Sequence, residues 1–472
     1  MVHSENCQDD NNNNDSDQPR CHRQQQAHQP LHQQQHAQNE NFFTMDDSFA
    51  AAAVLLPSTA ALLLPMSGGP AWFFAIVAIF LLVRFLQVFS RPEIPKVFPS
   101  NAASDRMAKM IARCPALHRI YRPPRLWGRN GHLQTAFYGV LGHASLRRTF
   151  NKRHSVRLAD GTTVTFDVFE PITHHNTARD YTLAICPGIA NCSESNYVRT
   201  AVHYAQENGY RCAVLNHLGA LKDLELTSSR IFGYGNTEEL QTMMMRLIEL
   251  YPATRFFCVG FSMGANITTL MLSSAPPLIK SKVVAALSVC QGYDALSSIE
   301  LYHQWEGARR VYNYIIAENV KRLLRRHYNS AVQAFVRRGV VDEHKLWATT
   351  SIAGVDEYYS RRVHGYDRLD DYYRDVSSIN VIPKLNIPMV FLNALDDPII
   401  PPALWIPVKD MIANKPDTCF VLTKHGGHLG FLEGHSYNPR SITWLDRFIV
   451  ELANAAISVY DDEKTVKQRD AQ

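Results

Sequence analysis

The spacing of apolar and polar residues divides the chain into four regimes. Residues 1–48 carry few apolar side chains; an Asn run at 11–14 and Gln runs at 24–26 and 33–35 lie among scattered histidines. Such a segment cannot bury enough apolar surface to offset its ordering entropy, so a disordered tail is expected. Its His22, His28, His32 and His36 have no fixed scaffold that would hold a metal. Residues 49–70 are rich in Ala and Leu but interrupted by Pro57 and Pro65. The run 71–89 is the most apolar stretch, broken by Arg84 and Gln87. A spanning helix needs roughly 20 residues. Residues 71–89 reach that length if Arg84 snorkels to the interface, which predicts a transmembrane anchor. Its distance from Met1 argues against a cleaved signal peptide, and the competing reading is a helix lying on the bilayer surface. Residues 90–150 read as a juxtamembrane connection.

From residue 151 the pattern changes to short apolar runs separated by helical periodicity. Runs at 154–158 and 163–169 flank Ala159-Asp-Gly-Thr162, a hairpin signal. Further strands are predicted at 182–186, 211–216, 255–260, 283–290, 388–393 and 418–423, with helical segments between most of them. That alternation specifies an α/β fold: a mostly parallel sheet with helices on both faces, spanning 151–460. The stretch 294–380 is too long for one crossover and is rich in aromatics and arginines, so it is predicted to be a helical lid. Within it, 320–328 mixes basic and apolar positions at helical spacing. Either a solvated face or a contact with anionic headgroups suits that pattern. Residues 461–472 read as a second disordered tail.

Gly260-Phe-Ser262-Met-Gly264 follows one of these strands and opens a helical segment. A strand, a tight turn at serine and a helix form a nucleophile elbow, with the serine oxygen standing above the sheet edge. A serine nucleophile needs a base, and the base an orienting carboxylate. Downstream, Asp396 and Asp397 follow a predicted strand, as do His425 and His428. Asp397 is preferred because Pro398-Ile-Ile-Pro401 turns the chain away at once, leaving Asp396 as a turn residue. His428 is preferred because Gly426 and Gly427 permit a close approach to the serine. The loop after strand 182–186 begins Pro187-Gly188, which nominates the backbone amides of Ile189 and Met263 as an oxyanion hole.

Composition narrows the field further. The formal charge of +4 over 472 residues gives no argument for nucleic acid. The nine cysteines show no C-x-x-C pairing; Cys186, Cys212, Cys258 and Cys290 fall in or beside predicted strands and read as small buried residues. His175 and Asp180 fit H-x4-D, a pattern of glycerolipid acyltransferases, but lie in a polar connection away from the serine. Within 151–460, sequons occur at Asn191 and Asn266, of which Asn191 is the expected N-glycan acceptor and Asn266 falls in the helix behind the serine.

The stretches 126–135 (LWGRNGHLQT), 185–191 (ICPGIAN), 209–220 (GYRCAVLNHLGA), 288–293 (SVCQGY) and 425–431 (HGGHLGF) resemble the α/β-hydrolase superfamily. Within it they are most similar to a membrane-anchored subgroup of monoacylglycerol lipases. The resemblance runs from about residue 95 to about 454 and does not cover 1–65. It implies Ser262, Asp397 and His428 as triad, a lipid ester such as a monoacylglycerol as substrate, and possible steroid control. It also implies a type II orientation, with the catalytic domain outside or luminal, which the sequon at Asn191 would suit. Arg84, Arg91 and Lys96 after the apolar run instead place that domain in the cytosol, and both orientations stay open. The expected chemistry is acyl transfer to water through an acyl-enzyme, with no metal or organic cofactor. The alternatives are transfer to a lipid alcohol, and a lipid- or hormone-binding receptor on the same scaffold.

Overall fold

Six parallel strands set the frame of the computed structural model, which describes residues 71–141 and 150–470. In chain order the strands are β1 (Lys96–Pro99), β2 (Lys152–Arg157), β3 (Thr163–Phe169), β4 (Tyr181–Cys186), β5 (Arg211–Asn216), β6 (Arg255–Phe261), β7 (Val283–Val289), β8 (Met389–Ala394) and β9 (Thr418–Thr423). They form one sheet in the order β1-β9-β8-β7-β6-β4-β5-β3-β2. Strands β4 to β9 run parallel; β1 joins one edge antiparallel, and the β2–β3 hairpin joins the other. The mostly parallel α/β sheet expected from the periodicity is therefore present. Every residue of β4, β7, β8 and β9 is buried, as parallel strands covered on both faces require.

Successive side chains of a strand face opposite sides, and two cores result. Ala184 and Cys186 of β4 face one core with Met243, Met271 and Phe391. Leu183 and Ile185 face the other, with Val202, Phe448 and Ile457. The second core is closed by the helices Asp105–Ala112, Asn196–Glu207 and Trp444–Asp470. The seven described cysteines are all buried and form no disulfide with one another, and burial pushes the Cys258 thiol up to about 12. They pack as small apolar residues, as their strand positions suggested.

Three segments differ from the pattern reading or extend it. Residues 90–150 supply the edge strand β1 and the helices Asp105–Ala112 and Gly131–Leu141, not a bare connection. The tail expected from residue 461 continues the helix Trp444–Asp470. It is pinned by Arg106 to Glu463 at 2.5 Å and by Arg113 to Asp462 at 2.7 Å. The described apolar helix, Ala71–Phe85, stops short of residue 89 because the chain turns at 86–89 with Gln87 at φ 53°. Fifteen residues span about 22 Å against a hydrocarbon core of about 30 Å. Among the described residues no helix is long and apolar enough to cross a membrane. Residues 1–70, including the expected disordered tail and the Pro-interrupted segment, lie outside the described residues.

Trp444 is the largest fully buried side chain. It stacks on Phe448 at 4.9 Å and contacts Phe431 and Tyr121 at 5.7 and 5.5 Å, while its Nε1 has no acceptor. Trp444→Ala is expected to cost about 3–5 kcal/mol in chemical denaturation. Trp444→Phe costs less, because it keeps a ring in the stack and removes the orphaned donor.

Candidate active site

The chemistry gathers at the C-terminal ends of β4, β6, β8 and β9. Ser262 follows β6 at φ 52° and ψ −116°, a strained conformation for a residue with a Cβ. The helix Met263–Ser274 leaves at once and crosses β4 so closely that a Cβ on Gly264 would lie 2.1 Å from the Cys186 carbonyl oxygen. A Cβ on Gly260 would lie 2.4 Å from the Ala265 Cα. The two glycines of the motif are thus demanded by crowding.

Asp397 and His428 converge on that serine. His428 Nε2 lies 2.9 Å from Ser262 Oγ, and His428 Nδ1 lies 2.9 Å from Asp397 Oδ2. Satisfying both contacts places the imidazole proton on Nδ1 and leaves Nε2 to accept from the serine hydroxyl. Asp397 is held by its other oxygen, which accepts from the backbone N–H groups of Ile399 and Ile400 at 2.8 and 3.0 Å. The short Pro398–Pro401 turn does what its sequence suggested. The side chains of Asp397 and His428 are 0% and 6% exposed, so their contact works at low dielectric.

Helix Gly131–Leu141 is the scaffold that spacing alone missed. It wedges between the two loops: a Cβ on Gly131 would lie 1.8 Å from the Asp396 carbonyl oxygen, and one on Gly427 would lie 2.4 Å from the Gly131 carbonyl oxygen. Thr135 Oγ1 accepts from the His428 N–H at 2.8 Å. Gln134, fully buried, accepts from the Leu432 N–H at 2.9 Å and donates to the Gly128 carbonyl at 2.7 Å. The motif 126–135 was visible in the sequence, but its contacts depend on partners about 300 positions away.

Ile189 and Met263 line the same cavity as Ser262 and His428. Gly188 holds the Ile189 loop close, since a Cβ there would be 3.6 Å from the Ser262 Cβ. The cavity and its solvent-open mouth together take in about 850 Å³ of empty space and are mostly apolar, with Tyr234, Tyr302, Ile316, Ile400 and Leu429 in the walls. Tyr302, Ile316, Ile352, Asp356 and Tyr373 come from the expected lid, which is entirely helical or looped between Ala295 and Val376. Asn266, one turn beyond Ser262, ties the lid's return to the nucleophile helix. Its amide donates to the Tyr234 and Val376 carbonyls at 3.0 and 2.8 Å and accepts from the Ser378 N–H at 3.1 Å.

Other candidates take different places. Asn191, expected as a glycan acceptor, is 5% exposed and lines the cavity. Its amide donates to the Ile189 carbonyl at 2.9 Å and accepts from Ser195 at 2.8 Å, so it braces the loop and offers no free amide for a glycan. His175 packs between Tyr181 and Tyr210, each 4.8 Å away, at the strand ends opposite Ser262. In the basic lid helix, Lys321 donates to the Thr349 carbonyl at 2.6 Å, and Arg326 binds the Gly219 carbonyl. Lys321 thus braces the lid internally, and Arg326 ties it to the body. Cys290, Asp397 and His428 place ligand atoms within 4.8 Å of one another. Burial pushes the Cys290 thiol well up, which opposes the thiolate that a metal would need.

Comparison with known proteins agrees with the fold. The family model described as "alpha/beta hydrolase fold" matches residues 181–435. Monoacylglycerol lipase ABHD2 of Homo sapiens is 40% identical over 386 residues, covering 81% of this chain and 90% of that protein. Abhydrolase domain-containing protein 2 of Drosophila melanogaster is 39% identical over 386 residues, covering 82% and 96%. Phospholipase ABHD3 of Homo sapiens is 28% identical over 350 residues, covering 73% and 81%. With the sheet, the elbow and these relatives in agreement, the chain belongs to the α/β-hydrolase family.

Proposed function

We propose that this protein is a membrane-attached serine hydrolase that cleaves carboxylic esters of lipids, monoacylglycerols foremost. The observation that carries the reading is the pair of 2.9 Å contacts joining Ser262, His428 and Asp397 at the wall of an apolar cavity. Relatives named monoacylglycerol lipase support the substrate class.

In this reading His428 Nε2 takes the Ser262 proton as Oγ attacks the ester carbonyl, and Asp397 steadies the resulting imidazolium. The developing oxyanion is held by the Ile189 and Met263 amides, each worth about 3–4 kcal/mol of transition-state stabilisation. His428 then protonates the departing alcohol. Water, activated by the same nitrogen, releases the acid from the acyl-enzyme. The apolar cavity holds the acyl chain, whose burial contributes about 0.8 kcal/mol per methylene. This chemistry is complete with the chain's own groups.

Membrane attachment rests on the helix Ala71–Phe85. Trp72, Phe73, Phe74, Ile79, Phe80 and Leu81 are 51–68% exposed around it, an apolar surface with no protein partner among the described residues. Lipid is the solvent that suits it. A type II orientation, with the hydrolase domain on the far side from the cytosol, is the one the family resemblance implies, and we carry it on that ground alone.

Serine-directed fluorophosphonate labelling of the full-length protein in membranes tests the chemistry. Ser262→Ala is expected to abolish labelling and to lower monoacylglycerol turnover by about 10⁶-fold. A wild-type protein that folds but takes no label removes the reading. Asp397→Asn should lower kcat by about 10⁴-fold with the fold intact, because the histidine loses the partner that sets its tautomer. Phe80→Arg places a charge in the apolar helix at about 2.5–3.5 kcal/mol. It should shift protein from the membrane pellet to the supernatant on alkaline washing, and unchanged pelleting argues against attachment through this helix.

A further inference from the structure

A second histidine and aspartate sit directly behind the first pair. His425 is buried at the end of β9, with Nδ1 3.7 Å from Asp396 Oδ2. That gap is too long for a hydrogen bond, and neither atom has another partner among the described residues. A buried donor and acceptor that face each other unpaired are costly, which favours their closing into a hydrogen bond. On its far side, His425 Nε2 meets Ser90 Oγ at 3.1 Å. Asp396 Oδ1 accepts from the Gly427 N–H at 2.9 Å, one residue before His428. Burial pushes the Asp396 carboxyl up, against the opposing pull of His425 and the Gly427 N–H.

Ser90 belongs to the stem that leaves the apolar helix. This stem is fastened to the site at several points. Asn130 donates to the Phe85 carbonyl at 2.6 Å and Arg129 binds the Val88 carbonyl, just ahead of the wedge helix Gly131–Leu141. Glu93 pairs with Lys424 at 2.5 Å, next to His425. The stem therefore touches both elements that fix the His428 loop.

We propose that Ser90, His425 and Asp396 form a positioning relay, through which docking of the stem holds the Gly427–His428 loop in its catalytic geometry. These three are positioning residues, since none touches the reacting atoms. The relay rests on the proposed triad and makes attachment of the apolar helix and hydrolytic competence two readings of one contact.

The test uses the full-length protein in micelles, a short soluble ester, p-nitrophenyl butyrate, and the rate of fluorophosphonate labelling. A misplacement of about 1 Å at a reacting group can cost on the order of 100-fold in rate. Asp396→Ala is expected to lower kcat by about that factor with KM unchanged, and Asp396→Asn, which keeps an acceptor for Gly427, to recover most of it. Ser90→Ala is expected to lower kcat by about fivefold at an unaltered melting temperature, with Ser90→Thr restoring it. Combined with Asp396→Ala, Ser90→Ala should add nothing, because the relay is already cut. Wild-type kcat in Ser90→Ala, or losses that multiply in the double variant, would overturn the relay. If Asp396→Ala does not fold, the Ser90 pair still decides. Labelled wild type with unaffected Ser90→Ala removes the relay alone, whereas unlabelled wild type removes the triad reading first.

Discussion

The crossing of helix Met263–Ser274 over β4 is the constraint on which the site depends. It brings the Gly264 backbone against the Cys186 and Pro187 carbonyls with no room for a side chain. That closeness fixes Ser262 at a positive φ and lifts its oxygen above the sheet. The same closeness sets the loop after β4 beside the serine, so Met263 and Ile189 line one cavity. Strain at one residue is tolerable because the buried helix and strand over-determine it.

The remaining geometry is a matter of two loops being held to that point. Asp397 is locked by its own turn, a local device built from Ile399 and Ile400 amides. His428 is locked from a distance, by Thr135 on a helix that precedes it by nearly the length of the domain. Removing the wedge helix would leave the sheet and the elbow in place but free the histidine loop.

The lid and the apolar helix give this site its character. The lid contributes apolar and tyrosine walls to the cavity, Lys321 bonds the Thr349 carbonyl within the lid, and Arg326 bonds the Gly219 carbonyl of the body. The helix Ala71–Phe85 ends in carbonyls held by Asn130 and Arg129, so a lipid-compatible surface starts within a few residues of the catalytic scaffold. A substrate that partitions into bilayers suits that proximity.

Periodicity and turn chemistry made the parallel sheet legible, along with the elbow, the loop after β8 and the loop after β9. These are local signals: alternation along a strand, crowding glycines, a carboxylate capped by its own turn. The choice of Asp397 over Asp396 and of His428 over His425 also followed from neighbours within four residues. What the sequence could not decide was long-range. The wedge helix, the edge strand β1 and the C-terminal helix to Asp470 have weak or mixed patterns and take their order from distant partners. Asn191 carries a sequon that is readable in three residues, but its burial is decided by Ser195 and the cavity. The run 71–89 reads as one apolar stretch, whereas the chain turns at 86–89, where contacts with 129–130 begin. Local conformation is encoded in adjacent side chains; which surfaces meet is settled only when the whole chain competes for the same core.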